Sequence, residues 1–205
     1  MNGGRSRVGR KRTKVSGRLE DGVAVVMGAG SAGPGGGDGE ASALTYARGG
    51  GRVVGVDRDP AAAAETAELI GAEGLSGDAA ACCATDGAAV AALVDDVIGA
   101  HGRIDVLMNN IGIAVMGGPV ELSEEEWRRV LDINLTTIFS ACKHVLPHIT
   151  QAGGGAIVNT SSIAGIRYVG YPYASYYATK GAIDQFTVGL AQQYAKQGVR
   201  VNAIM

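Results

Sequence analysis

Val23-Ala24-Val25-Val26-Met27-Gly28-Ala29-Gly30-Ser31 is the stretch from which the fold is read. Five apolar residues, three of them valine, suit a short buried strand better than a helix, and the glycines that follow end it. Seven of the twelve residues from 28 to 39 are glycine, and a helical pattern, Ala41–Arg48, begins soon after. A strand, a glycine-rich turn and a helix in this order set free backbone N–H groups at the positive end of a helix, with no side chains in the way. Such an arrangement receives a phosphate. Glycines alone would equally describe a flexible loop, so the surroundings decide.

Outward from that stretch the chain alternates strands and helices. Gly49-Gly50-Gly51 stops the first helix, and Arg52-Val53-Val54-Gly55-Val56 is a second strand closed by Asp57. Pro60 opens an Ala/Glu-rich helix over Ala61–Ile70, proline being well suited to a first helical position. Val90, Leu93, Val94, Val97 and Ile98 recur at helical spacing, with Asp95 and Asp96 on the other face. Ile104–Met108 reads as the fourth strand. Ser123 and Glu126 form a capping box for a helical pattern that runs through Leu131 and Ile138 to His148. Ala156–Asn159 is the fifth strand, a long helix spans about Ser175 to Lys196, and Val199–Ile204 is the sixth. Strands joined by single helices pair in parallel through right-handed crossovers, which predicts an α/β, doubly wound sheet in the order 3-2-1-4-5-6.

In that frame Asp57 stands where a carboxylate would accept hydrogen bonds from both hydroxyls of a nucleotide ribose and repel a 2′-phosphate. NAD is therefore expected rather than NADP, although the neighbouring Arg58 could pair with that phosphate. At the other end of the crevice, Tyr176 and Lys180 are four residues apart on one helix face. A phenol is a poor acid or base at neutral pH, and an adjacent ammonium favours its ionised form. Ser162, after the fifth strand, could hydrogen-bond a substrate oxygen, and Asn134 could hold Lys180 through a water.

Taken together these residues resemble the short-chain dehydrogenase/reductase family, whose domains have the Rossmann fold. The resemblance runs from Gly17 to Met205. It is carried by Gly28-Ala29-Gly30-Ser31, Asp105-Val106-Leu107-Met108-Asn109-Asn110-Ile111-Gly112, Asn134, Ile157-Val158-Asn159-Thr160-Ser161-Ser162, Tyr176 with Lys180, and Arg200-Val201-Asn202-Ala203-Ile204. It implies hydride transfer between a nicotinamide cofactor and an alcohol or carbonyl, with Tyr176 as general acid/base. Lys180 is then the residue that assists Tyr176 and binds the nicotinamide ribose, Ser162 the donor to the substrate oxygen, and Asn134 the anchor of a relay water. Gly28, Ala29, Gly30, Ser31, Gly37, Gly39, Asp57 and Asn110 would form the rest of the cofactor site. Tyr171, Tyr173 and Tyr177 are expected to line the substrate mouth or pack.

The sequence departs from the family at four places. Met27 replaces the usual Thr, about five extra residues (Ala32 to Gly36) precede Gly37, and Asp38 stands where an aliphatic residue is usual. Asp38 as a helix N-cap would put its own carboxylate in the anion site. Cys83 occupies the position of a common adenine-contacting acid, leaving Asp86 to cap the next helix. Ser162 and Tyr176 are 14 residues apart, one more than the commonest spacing. The Pro-Gly turn, covering helical segment, further helix and seventh strand that usually follow the sixth strand are missing, so the domain is read as incomplete at its C-terminus. A non-catalytic, degenerate Rossmann binding module is the alternative reading.

Composition bounds the rest. With 46% hydrophobic and 19% charged residues, 205 residues make one globular α/β domain. Residues 1–18 carry seven basic side chains and no acid, leaving 11 of the 18 basic residues against all 20 acidic ones in 19–205. The division expected is a disordered basic extension over 1–18 and the domain over 19–205. Nucleic acid is not an expected partner, because no aromatic residues interleave with those charges. No apolar run follows the basic stretch, so a secretory signal is not expected. An Arg-rich mitochondrial presequence is conceivable, but residues 1–18 lack an apolar face, and no run approaches the 18 apolar residues of a membrane span. Cys82, Cys83 and Cys142 are an odd set without CxxC spacing, which fits free thiols in a reducing cytoplasm. His144 and His148 have Pro147 between them and no clustered acids, so no metal is expected. A small alcohol or carbonyl is the expected partner, with a homodimer or homotetramer formed through the long helices.

Overall fold

The computed structural model describes residues 17–31 and 36–205. Most of the basic extension and residues 32–35 of the expected insertion lie outside the described residues. The elements are β1 (Val23–Met27), α1 (Asp38–Arg48), β2 (Arg52–Asp57), α2 (Pro60–Ala72), β3 (Gly77–Ala81) and α3 (Gly87–His101). They continue as β4 (Val106–Asn109), α4 (Glu124–Leu131), α5 (Thr137–Gln151), β5 (Gly155–Thr160), α6 (Ala174–Tyr194) and β6 (Val199–Ile204). All strand pairs are parallel and the sheet order is β3-β2-β1-β4-β5-β6. This is the doubly wound Rossmann-type sheet expected.

Alternation along β1 explains the layers. Val23, Val25 and Met27 join a core with Val90, Leu93 and Val94 of α3, Ile138 and Val145 of α5, and Ile183 of α6. Ala24 and Val26 point the other way, to Ala43 and Ala47 of α1 and Ile70 of α2. Both faces are covered, so every residue of β1 is buried, as a central parallel strand requires. Leu107 and Ile157 are fully buried between the sheet and the α3, α5 and α6 layer. Truncating either to Ala would cost about 2–5 kcal/mol. At β6, Val199 and Val201 are buried, while Arg200, Asn202 and Ile204 are exposed on the other face.

Several boundaries differ from expectation. β3 is Gly77-Asp78-Ala79-Ala80-Ala81, a strand set by pairing with β2 and not by propensity. Cys82 and Cys83 follow it, the first buried and the second exposed. β4 begins at Val106 instead of Ile104, because Asp105 turns its carboxylate back to the Val23 N–H at 2.8 Å. The N-cap of α1 is Gly37, without a side-chain cap, so Asp38 is the first helical residue and not the cap. Asp86 does cap α3, accepting from Ala88 N and Ala89 N. The capping box of Ser123 and Glu126 opens α4. The helical run from there to Gln151 is interrupted by a π-helical turn over Asp132–Thr136.

Candidate active site

The glycine turn sits between the carboxyl ends of β1 and β4, where the strand order reverses direction. Gly28 has φ +76 and Gly39 sits so close to it that a Cβ there would overlap the Gly28 carbonyl oxygen. A Cβ on Gly30 would come within 2.6 Å of the Ala62 Cβ and 2.8 Å of Asp57 Oδ2. These glycines are therefore required by close approach of α1, α2 and β2. Asp57 accepts from Gly30 N through Oδ2 (3.1 Å) and from Asp59 N through Oδ1 (3.1 Å), which fixes its carboxylate beside the turn. Buried Thr66 of α2 donates to the Ala29 carbonyl at 2.9 Å. Gly37 and Asp38 follow at the start of α1, and Ser31 is half-buried.

Asn110 ties three strand ends together. Its Nδ2 donates to the Gly28 carbonyl at 3.2 Å, and its Oδ1 accepts from Thr160 Oγ1 at 3.0 Å. The Thr160 carbonyl in turn accepts from Lys180 Nζ at 2.7 Å. Lys180 is 3% exposed, and its ammonium stands 5.4 Å from the centroid of the Tyr176 ring. Burial pulls the Lys180 ammonium down to about 8, against the opposing attraction of Asp184 one turn along the helix. Both Asp184 carboxylate oxygens are buried without a hydrogen-bond partner, and a Cβ on Gly165 would collide with one of them. That proximity explains the glycine of the 3-10 turn at Ile163–Gly165.

Asn134 is fully buried on the π-helical turn. Its Oδ1 accepts from Ile113 N (2.8 Å), while Nδ2 donates to the Ile113 carbonyl (2.9 Å) and to Thr179 Oγ1 (3.2 Å). The extra residue of a π turn redirects one side chain, here toward α6 and the segment after β4. Asn134 Oδ1 and Lys180 Nζ lie 3.7 and 3.6 Å from the point where a Gly112 Cβ would stand. Ser162 accepts from Ala164 N at 3.1 Å and starts the 3-10 turn, which leaves its hydroxyl proton free to turn elsewhere. Ser162, Tyr176, Asp38 and Thr160 border one cavity of about 670 Å³.

Sequence reasoning missed a buried polar ladder. Asn109 Nδ2 donates to Asn159 Oδ1, and Asn159 Nδ2 donates to Thr187 Oγ1, both at 2.9 Å. The ladder fastens β4 to β5 and to α6, and so sets the depth of the helix that carries Tyr176 and Lys180. It also missed the role of Tyr177, whose hydroxyl donates to the Tyr171 carbonyl (2.8 Å) and accepts from Val169 N (3.0 Å).

A parallel sheet in the order β3-β2-β1-β4-β5-β6, with a glycine turn at its switch point and a Tyr/Lys pair beyond β4 and β5, defines an α/β domain of the Rossmann class. Residues 23–205 match the short chain dehydrogenase family. The chain belongs to that family of oxidoreductases. It is 35% identical to a 3beta-hydroxysteroid dehydrogenase of Mediterraneibacter gnavus, over 93% of this chain and 67% of the relative. It is 38% identical to a D-threitol dehydrogenase of Mycolicibacterium smegmatis, over 91% of this chain and 70% of the relative. The crystal structure of a short-chain dehydrogenase/reductase from Burkholderia xenovorans superposes with a TM-score of 0.90 at 46% identity, covering 92% of this chain and 74% of that one.

Proposed function

We propose that the chain interconverts a secondary alcohol and its ketone with NAD as the preferred cofactor, using Tyr176 as the acid and base. The observation that carries this reading is the buried Lys180 ammonium beside the Tyr176 ring, in the crevice beyond the carboxyl ends of β4 and β5. The residues of the glycine turn fit a dinucleotide: Gly28, Ala29, Gly30, Ser31, Gly37 and Gly39 would hold its phosphates, and Asp57 its adenosine ribose. Asn110, Tyr176 and Lys180 would stand against the nicotinamide half. The nicotinamide ring supplies or accepts the hydride when bound.

The chain's own residues manage the proton and the oxygen. Tyr176 takes the hydroxyl proton in oxidation and returns it to the carbonyl oxygen in reduction. Lys180, held by Thr160, places positive charge beside the phenol. Ser162 turns its hydroxyl toward the substrate oxygen and helps fix it. Asn134 holds the Lys180 side of the crevice in register, by joining the segment after β4 to α6. The relatives named for a steroid alcohol and for D-threitol support an alcohol as substrate.

Among the described residues no helix is long and apolar enough to cross a membrane, and the three cysteines are free. We place the protein in the cytoplasm on those thiols, as a homo-oligomer joined through α5 and α6. Tyr176→Phe is expected to lower kcat by about 10²–10⁴-fold, far more than it weakens NADH binding in a fluorescence titration. Retained turnover would remove Tyr176 from the chemistry.

A second reading, a binding module without catalysis, is favoured by one observation: Asp38 and Glu40 put two carboxylates in the first turn of α1. They oppose a phosphate at that helix end. NADH binding without turnover of any carbonyl would support it.

A further inference from the structure

Resting on Tyr176 as the proton-transferring group, we infer that the substrate is a neutral alcohol or ketone carried on a ring system, which lies along a wall built by Tyr173 and Tyr171. Tyr173 stands immediately before α6 and meets the Tyr176 ring edge-on, at 5.9 Å between centroids. Tyr171 continues the series at 5.7 Å from Tyr173. Two ring-to-ring steps thus lead outward from the reacting phenol.

The wall is held before any ligand arrives. The Tyr177 hydroxyl clamps the loop by bonding Val169 N and the Tyr171 carbonyl. Next to it, Gly117 N donates to the Pro172 carbonyl (2.6 Å) and Ala174 N to the Gly117 carbonyl (3.1 Å), joining the segment after β4 to the segment before α6 in a parallel bridge. Gly117 lies at φ +147, with Leu122 where a side chain would project, so that join is available to glycine. A wall fixed in this way spends little ordering entropy on binding.

Its chemistry is apolar and carries a single charge. The same two segments expose Met116 (60%), Ile166 (58%), Tyr168 (71%) and Tyr171 (56%). No charged residue occurs from Val106 to Val120, and Arg167 is the one charge between Ile163 and Thr179. Exposed apolar and aromatic surface concentrated beside a reactive crevice marks a ligand contact. A flat or chair-shaped ring meets tyrosine faces over its whole area, whereas an open chain must first give up rotational freedom to do so. Arg167 is the one cation in these two segments that a carboxylate or phosphate tail could meet.

The test compares the full chain's NAD-dependent oxidation of cyclohexanol, 2-decalol, 2-decanol and D-threitol. The ring alcohols are expected to exceed 2-decanol and D-threitol by about tenfold in kcat/KM. Tyr173→Leu is expected to raise KM for both ring alcohols by a similar factor and leave 2-decanol within about twofold. Tyr173→Phe should retain the preference, which separates the ring from its hydroxyl and reports that the fold survives substitution. Tyr171→Leu should affect 2-decalol more than cyclohexanol. Equal turnover of rings and chains, preference for D-threitol, or an equal loss on all substrates in Tyr173→Leu would overturn the ring wall while leaving the oxidoreductase reading intact. If NADH binds and none of the four is oxidised, the reading of Tyr176 fails and takes this inference with it.

Discussion

Lys180 shows most directly what the site costs the fold. Its ammonium is buried and drawn down to about 8 from an ordinary 10.5, so the folded chain binds that proton less tightly than the unfolded chain does. Between those two values the unfolded state holds the extra proton, and stability contributed by this residue must rise with pH. Below about 8 the full penalty is present, worth about 3 kcal/mol. Lys180→Met has no such term. In urea titrations the wild type is expected to gain up to about 3 kcal/mol on the variant as pH goes from 7 to 10.5, whatever fixed contacts the methionine loses. A pH-independent difference would show that the ammonium is not penalised. At this scale the sequence is informative where chemistry has a local spacing, as with Tyr176 and Lys180 one helical turn apart. It is silent on Asn109, Asn159 and Thr187, because only the folded sheet brings three distant polar residues together.

At the level of elements, glycines divide into those the architecture demands and those it tolerates. Gly39 stands against the Gly28 carbonyl, so Gly39→Ala must push the start of α1 away from β1. The expected result is a loss of about 1–3 kcal/mol in stability together with weaker NADH binding. Gly99, inside α3, has nothing within 4 Å of an added Cβ, and Gly99→Ala should stabilise by about 0.5–1 kcal/mol. Thermal melts of the two variants moving in the same direction would contradict this distinction. Most elements are legible in the sequence because valine runs and 3.6-residue periodicity alternate cleanly. β3 is not, since Gly77-Asp78-Ala79-Ala80-Ala81 has no strand propensity and is made by its partner. The π-helical turn is invisible for a different reason: one extra residue barely disturbs the apolar pattern, yet it aims Asn134.

For the molecule as a whole, the two faces of the sheet are closed by different means. α3, α5 and α6 cover one face, and α1 and α2 cover part of the other. On the outer side of α5 and α6, Phe139 is 53% exposed and borders a cleft of about 490 Å³ that includes Leu146, Phe186 and Leu190. An apolar strip of this kind on paired helices suits self-association through a two-fold axis. Size-exclusion chromatography with light scattering should find a dimer or tetramer, and Phe139→Arg should shift it to smaller species; an unchanged distribution would direct attention to another face.

The hydrogen bonds around Asn110 give the crevice a mechanical property. From the Gly28 carbonyl through the Asn110 amide and Thr160 to the Lys180 ammonium there are only three links, each 2.7–3.2 Å long. The two halves of the crevice are therefore not independent compartments. A displacement of the glycine bend at one end has a continuous hydrogen-bonded route to the lysine at the other.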